Sequence, residues 1–172
     1  MSAADKESGS SPGRLELTKL QREGIATRLA YNPVVEFMGI ELLEVGVGHA
    51  TLTLPHRGEL DNSMGLVQGG VLAVLADVAG GVCLYSVLSD PLQVTIPTVE
   101  FKLNFLRPAS QQDVIARGNV AHRGRQIAVC KVDVSTMNGT LLATGLFTYM
   151  VKNLSSAQLG RGETRDESFK CE

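Results

Sequence analysis

The feature that most constrains the fold is a long apolar segment at residues 62–88, NSMGLVQGGVLAVLADVAGGVCLYSVL. Asp77 is the only charged residue between Asp61 and Asp90. The polar, glycine-containing start predicts a loop, and the apolar part that follows predicts a helix. A helix that is apolar on nearly every side must be covered on nearly every side. The segment therefore predicts a central helix wrapped by other structure, and the purpose of Asp77 has to be explained.

A membrane span is the alternative interpretation of this segment, which is about long enough to cross a bilayer. Asp77 would lie at the middle of the span, where a charge costs roughly 2.5–3.5 kcal/mol. Glycines within the segment and the lack of flanking Lys or Arg also disfavour insertion. The net charge of −2 provides no attraction for an anionic membrane or for nucleic acid. We therefore expect neither as a partner.

The segments on either side of this helix show the alternation of β-strands. Residues 40–55, IELLEVGVGHATLTLP, predict a hairpin that turns at Gly46–Gly48. After the helix, short turns between strands favour an antiparallel meander of four strands. These strands are 98–108, 113–122, 127–136 and 141–151, with turns at 122–125 and 138–139. Before the hairpin, residues 15–29 predict a surface helix that the Asn32-Pro33 pair ends.

This order of elements predicts an α+β fold. One sheet can cover a helix on nearly every side only by curling around it, which is the arrangement of the hot dog fold. We expect an antiparallel sheet of about five to six strands around one long central helix, with an extra N-terminal helix. The length of 172 residues suits one domain, placed at 14–153 between disordered tails at 1–13 and 154–172.

The cysteines and the N-terminus bear on the cellular compartment. Cys83, Cys130 and Cys171 are widely spaced and show no metal-ligand spacing. The N-terminal residues are polar and lack the apolar core of a secretory leader. A reduced, cytoplasmic protein without a metal site is the simplest interpretation.

Gln68-Gly69-Gly70 lies where the loop is predicted to become helix. Backbone N–H groups at a helix start have no partner within the helix, and the helix dipole adds partial positive charge there. Glycine has no Cβ, so a substrate can approach the backbone closely. This combination suits a carbonyl oxygen that becomes an oxyanion during acyl transfer. The alternative is a plain loop-to-helix turn.

Asp77 follows Gly69 by eight residues, slightly more than two helical turns. Its carboxylate is expected on the Gly69 side of the helix, but about 12 Å further along the axis. The two residues cannot serve one acyl group within a single helix. A two-fold dimer with antiparallel neighbouring helices would bring the start of one helix near the middle of the other. The alternative role for Asp77 is that of a hydrogen-bonded polar residue at the dimer seam.

Gly80 and Gly81 each cost roughly 1 kcal/mol relative to alanine in the middle of a helix. Such a cost is expected where another backbone approaches the helix closely. We therefore interpret both glycines as packing residues rather than site residues.

The pattern N-x-x-G-x-x-x-G-G beginning at Asn62, followed by Asp77, resembles the acyl-CoA thioesterases of the hot dog superfamily. The similarity is to the PaaI-like and 4-hydroxybenzoyl-CoA type, and it also covers NPVVEFMGIELLEV, FLRPA and ATGLFTYMV. The resemblance implies that the backbone N–H of Gly69 polarises the thioester carbonyl. It implies that Asp77, from the partner subunit, acts as general base or nucleophile. Asn62 would hold the water or the thioester, and Thr98 would place a hydroxyl near the carboxylate.

The resemblance also implies where the substrate binds. Gln68 and Gly70 are expected to contact it beside Gly69. Arg123 and Arg125 in the turn HRGR could meet the coenzyme A phosphates, since guanidinium groups bind phosphate well. The alternative is that both arginines are solvated turn residues. Members of the family commonly have histidine where this chain has Gln68, which cannot titrate near neutral pH.

The expected function is hydrolysis of an acyl- or aryl-acyl-CoA thioester to a free acid and coenzyme A. No cofactor is expected beyond the coenzyme A of the substrate, and the active site would lie at the interface of a homodimer, alone or within a dimer of dimers. A hot dog dehydratase or hydratase is one alternative, but it would need a histidine paired with an acid, and Gln68 stands in the expected place. A non-catalytic acyl-CoA-binding module is the other. Leu66, Val67 and Val71 predict an apolar acyl pocket, without indicating the acyl group.

Overall fold

The computed structural model describes residues 16–154, and the chain begins there with two helices, α1 (Lys19–Ala30) and α2 (Pro33–Met38). Asn32 caps the second helix, because its side-chain oxygen accepts the backbone N–H of Val34 and proline suits a first helical turn. The predicted N-terminal helix is confirmed. The Asn32-Pro33 pair ends it as expected, but the same pair also begins α2, which the sequence pattern did not indicate.

The predicted disordered tails, 1–13 and 154–172, lie outside the described residues, with one exception. Leu154, the first residue of the second tail, donates its backbone N–H to the carbonyl of Gln93 at 2.8 Å. Cys171 also lies outside the described residues, whereas Cys83 and Cys130 are buried and free of any disulfide.

A six-stranded antiparallel sheet has the order β1-β2-β5-β6-β7-β4, and a two-stranded sheet pairs β3 with β8. The β1–β2 hairpin and its turn lie where the sequence predicts them. The strands are β1 (Glu41–Gly46), β2 (His49–Leu54), β3 (Val94–Thr95), β4 (Thr98–Phe105), β5 (Val114–Arg123), β6 (Ile127–Thr136), β7 (Leu141–Met150) and β8 (Lys152–Asn153).

The prediction of a four-strand meander after the helix is wrong for its first strand. β5, β6 and β7 are joined by short turns and pair in sequence order. β4 instead pairs with β7 at the far edge of the sheet, and β5 pairs with β2. Residues 106–113 form a connection that is longer than a tight hairpin turn, so the chain can cross the sheet between β4 and β5.

The central helix is α3 (Gly69–Tyr85), which packs on β2, β5 and β6. Leu75, Ala76 and Cys83 are 0% exposed between the helix and the sheet. A long helix wrapped by an antiparallel sheet of six strands confirms the predicted hot dog fold. Within residues 16–154, no helix is both long and apolar enough to cross a membrane.

The sequence predicted that another backbone approaches α3 closely at Gly80 and Gly81, but the described residues place side chains there. A Cβ on Gly80 would overlap the side-chain hydroxyl of Tyr149, and one on Gly81 would meet the Ile96 side chain at an ordinary 3.5 Å. The helix and sheet backbones approach each other at Gly118 of β5 instead, where a Cβ would lie 2.6 Å from the carbonyl oxygen of Ala79. Gly80 is therefore a packing residue, as predicted, but its neighbour is a side chain and not a backbone.

Candidate active site

Asp77 lies in the middle of α3 and has hydroxyl partners from two strands. Thr98 Oγ1, at the start of β4, donates to Asp77 Oδ1 at 2.9 Å. The Tyr149 hydroxyl, near the end of β7, lies 3.1 Å from the same Oδ1 and 2.9 Å from the Asp77 backbone carbonyl oxygen. Within residues 16–154, no hydrogen bond reaches the other carboxylate oxygen, Oδ2. The structure thus places the Thr98 hydroxyl beside the carboxylate, where the resemblance implies it.

Tyr149 was not identified from the sequence, although the sequence contained a signal for it. Gly80 has no Cβ in the middle of a helix, and that missing atom leaves the space which the Tyr149 hydroxyl occupies. Burial, and next the nearby Asp77 carboxylate, raise the pKa of the Tyr149 hydroxyl well above its usual value. The hydroxyl therefore stays protonated at any pH near neutrality and remains a hydrogen-bond donor.

The start of α3 presents the donor groups that the sequence predicts. Gln68 is the N-cap residue, and its backbone carbonyl accepts the N–H groups of Val71 and Leu72. No described residue accepts the N–H of Gly69 or Gly70, and the Gln68 side chain caps neither. These two N–H groups are available for a carbonyl oxygen, at the positive end of the helix dipole.

A cavity of about 330 Å³ opens at this helix start, with Asn62 and Gly69 in its lining. Leu66 and Val67 line it as expected of the acyl pocket, but Val71 does not. Phe105 also lines it, and a Cβ on Gly69 would be in van der Waals contact with this ring at 3.4 Å. The cavity combines an apolar wall with the free backbone N–H of Gly69, which suits an acyl group and its carbonyl oxygen, whereas Gly70 does not line it.

Asn62 shapes the loop beside this cavity. Its side-chain oxygen accepts the backbone N–H of Met64 at 2.9 Å and that of Leu66 at 3.3 Å. Because the oxygen already accepts two hydrogen bonds within the loop, the side-chain NH₂ is the group that can donate a hydrogen bond to a substrate or to water.

The predicted catalytic residues fall into two groups within one chain. Asn62 and Gly69 line the cavity, whereas Asp77 and Thr98 do not. Eight residues of helix, about 12 Å, separate Gly69 from Asp77. One subunit therefore does not bring the carboxylate to the helix start.

Arg123 and Arg125 lie at the opposite end of α3, near its C-terminus. Together with Lys152 they line a second, larger cavity of about 850 Å³. None of these three cations forms an ion pair with a described residue. An anion with several charges would find an uncompensated positive field in this cavity.

A histidine–carboxylate pair also exists near the loop, which the sequence pattern did not indicate. His56 Nε2 lies 3.2 Å from both carboxylate oxygens of Asp61, and the His56 backbone N–H donates to Asp113. Neither His56 nor Asp61 lines the cavity at the helix start. The pair holds the loop ahead of Asn62 in place.

The described residues contain no cluster of three or more potential metal-binding side chains.

Comparisons with known proteins identify relatives of this chain. A sequence model of the thioesterase superfamily matches residues 64–143. A protein of Halobacterium salinarum, named as a candidate esterase, is 31% identical over 106 residues, which cover 60% of this chain and 70% of the relative. The medium/long-chain acyl-CoA thioesterase YigI of Salmonella typhimurium is 26% identical over 132 residues, with 69% of this chain and 85% of the relative covered.

Solved structures show the same architecture. A thioesterase family protein from Silicibacter pomeroyi superposes with a TM-score of 0.74 at 25% identity, covering 78% of this chain and 99% of that protein. The PaaI protein of the phenylacetic acid degradation operon of Escherichia coli superposes with a TM-score of 0.72, covering 81% of this chain and 97% of that protein. At 18% identity, the second likeness concerns the fold alone.

Proposed function

This chain belongs to the thioesterase superfamily, and we propose that it hydrolyses acyl-CoA thioesters to a free acid and coenzyme A. The observation that carries the proposal is the Asp77 carboxylate, which has two hydroxyl groups at Oδ1 and no described partner at Oδ2. A carboxylate held in this way can take a proton from water or attack a carbonyl carbon. The relative YigI, named as an acyl-CoA thioesterase, supports the choice of thioester.

A homodimer supplies the geometry that one chain lacks. Among the strands of residues 16–154, β4 is an edge strand that pairs with β7 alone, and Phe101 and Phe105 are 49% and 54% exposed on it. An open edge with apolar side chains favours pairing with another strand. In a two-fold pair joined there, antiparallel α3 helices would bring Gly69 of one subunit toward Asp77 of the other. We propose that the active site is formed in this way.

The proposed reaction uses the two groups of residues together. The acyl group lies in the cavity beside Phe105, and its carbonyl oxygen accepts the N–H of Gly69. Asp77 of the other subunit takes a proton from water as the water oxygen bonds to the carbonyl carbon. The oxyanion is stabilised at the helix start, the C–S bond breaks, and the proton passes to the coenzyme A sulfur. If Asp77 attacks directly, its oxygen bonds to the carbonyl carbon, the C–S bond breaks and the coenzyme A thiolate leaves. Water then hydrolyses the acyl–aspartate anhydride, which releases the acid, restores the carboxylate and supplies the proton that the thiolate takes up.

The cavity with Arg123, Arg125 and Lys152 is proposed to hold the coenzyme A phosphates. Its distance from the carboxylate supports this assignment, because Tyr85, the last residue of α3, lies about 12 Å along the helix axis from Asp77, and Val87, two residues later, lines the cavity. An extended pantetheine arm spans a distance of this order.

Release of free thiol from a panel of aliphatic and aromatic acyl-CoAs tests the function. We expect turnover of at least one panel member by the parent protein. Tight binding of a non-hydrolysable acyl-CoA analogue, with no turnover of any thioester, would instead identify a non-catalytic binding module.

The double variant Arg123→Ala/Arg125→Ala is expected to raise KM for acyl-CoA by about tenfold or more, since each phosphate contact contributes about 1–3 kcal/mol. The same variant should leave KM unchanged for an acyl-pantetheine thioester, which has no nucleotide. Arg22→Ala is the control, because Arg22 lies on α1 beside Glu16. An equal change for both substrates would contradict phosphate binding at this turn.

Heterodimers test the shared site. One subunit carries Asp77→Asn, and the other carries Gly69→Val, which adds a side chain against Phe105 where the Gly69 N–H should be reached. Homodimers of either variant are expected to be inactive. The purified heterodimer should regain about half of the parent activity, because one of its two sites is then intact. A heterodimer as inactive as both homodimers would show that Asp77 and Gly69 act within one chain.

A further inference from the structure

We infer that Tyr149 is a positioning residue for the hydrolysis, and that its hydroxyl holds Asp77 so that Oδ2 alone faces the substrate. The inference rests on the proposed role of Asp77 and adds a residue that the motif around Gly69 does not contain. Tyr149 lies 72 residues beyond Asp77 and near the end of β7.

The Tyr149 hydroxyl contacts two atoms of the same residue. It lies 2.9 Å from the Asp77 backbone carbonyl oxygen and 3.1 Å from Oδ1. One hydroxyl hydrogen between these two oxygens ties the carboxylate to its own backbone. Rotation about the Cα–Cβ bond of Asp77 would break this bridge, so the side chain is restricted to one rotamer.

The Thr98 hydroxyl, which lies directly across from Tyr149 on the neighbouring strand, completes the restraint. It donates to Oδ1 at 2.9 Å from the start of β4, whereas Tyr149 approaches from β7. Two donors at one oxygen leave the other oxygen as the one that can accept a proton or attack a carbonyl carbon. Because general-base catalysis depends on geometry within hydrogen-bond reach, a fixed Oδ2 contributes to the rate and not only to binding.

The surroundings of Tyr149 show why the hydroxyl remains in place. The side chain is 1% exposed, and its hydroxyl lies in the groove that Gly80 leaves on α3. Its ordinary alternative role is that of a core residue whose ring fills space and whose hydroxyl merely needs a partner. Both roles need the ring, but only the positioning role needs the hydroxyl for turnover.

Tyr149→Phe separates the two roles because it keeps the ring and removes the hydroxyl. We expect kcat for acyl-CoA hydrolysis to fall by about tenfold, with KM within about twofold of the parent, because binding does not depend on Asp77 orientation. Tyr85→Phe is the matched control. Tyr85 is a partly buried tyrosine at the end of α3 beside Arg28, and its variant should retain the parent kcat. A Tyr149→Phe protein with kcat within twofold of the parent would overturn the inference.

A double-variant cycle tests the contact without relying on turnover. The loss of unfolding stability caused by Tyr149→Phe is measured in the parent and in Asp77→Ala. We expect this loss to be smaller in Asp77→Ala, since the carboxylate acceptor is then absent and only the backbone carbonyl of residue 77 remains. Equal losses would overturn the inference even if the parent hydrolyses acyl-CoA. Failure of the parent to hydrolyse any thioester, with the coupling present, would instead contradict the proposed function.

Discussion

Replacing Asp77 by asparagine is expected to lower kcat for acyl-CoA hydrolysis by about 10²–10⁴-fold, the usual contribution of a general base. Asparagine has the same shape and keeps an oxygen acceptor for the Thr98 and Tyr149 hydroxyls. It cannot take a proton from water at neutral pH, and it is a far weaker nucleophile than a carboxylate. The chemical step is therefore lost while the hydrogen-bonded structure around residue 77 persists.

Thiol release at saturating acyl-CoA measures this effect, and thermal unfolding shows whether the fold survives. Asp133→Asn is the matched control, because Asp133 lies on β6 with Lys131 and Thr144 as its partners. This control should retain parent activity. A decrease of less than tenfold in Asp77→Asn, with a folded protein, would show that Asp77 is neither base nor nucleophile.

Replacing Gly118 by alanine is expected to destabilise the protein by roughly 1–3 kcal/mol, the usual cost of overpacking. The new Cβ would lie 2.6 Å from the backbone oxygen of Ala79 and 3.1 Å from Cys83 Sγ. A glycine-to-alanine change elsewhere gains about 0.4–1 kcal/mol by restricting the unfolded chain. The steric cost is larger here, because a backbone oxygen of α3 cannot rotate away as a side chain can.

Thermal unfolding of Gly118→Ala should show a midpoint lowered by about 2–12 °C for a chain of this size. Gly58→Ala is the control, since a Cβ there would meet nothing within 4 Å. We expect its midpoint to be equal to that of the parent or slightly higher. If the unfolding midpoint of Gly118→Ala matched that of this control, the helix could move away from β5 without loss of folding stability, and the predicted steric cost would be wrong.

Sequence patterns predicted the secondary structure of this chain well, because each element carries its own periodicity. The hairpin at β1 and β2 and the apolar helix α3 follow from residues that are close in the chain. The resemblance to thioesterases placed Thr98 beside Asp77, and the 2.9 Å contact agrees with it. The assignments of Asn62 and Gly69 to the substrate remain predictions, although both line one cavity.

Local periodicity could not predict which strands become neighbours. β4 alternates as a strand should, but alternation does not reveal whether it pairs with β5 or crosses to β7. His56 and Asp61 are only five residues apart, yet a loop conformation and not a repeating pattern decides that they meet.

The sequence by itself determined that a single carboxylate lies within an apolar helix, since Asp77 is the only charge between Asp61 and Asp90. Only the tertiary structure decided which groups meet that carboxylate. Its two hydroxyl partners lie 21 and 72 residues away, on strands at neighbouring positions of the sheet. The physical reason is that the curled sheet brings β4 and β7 to the same side of α3, where Gly80 leaves room for the Tyr149 hydroxyl.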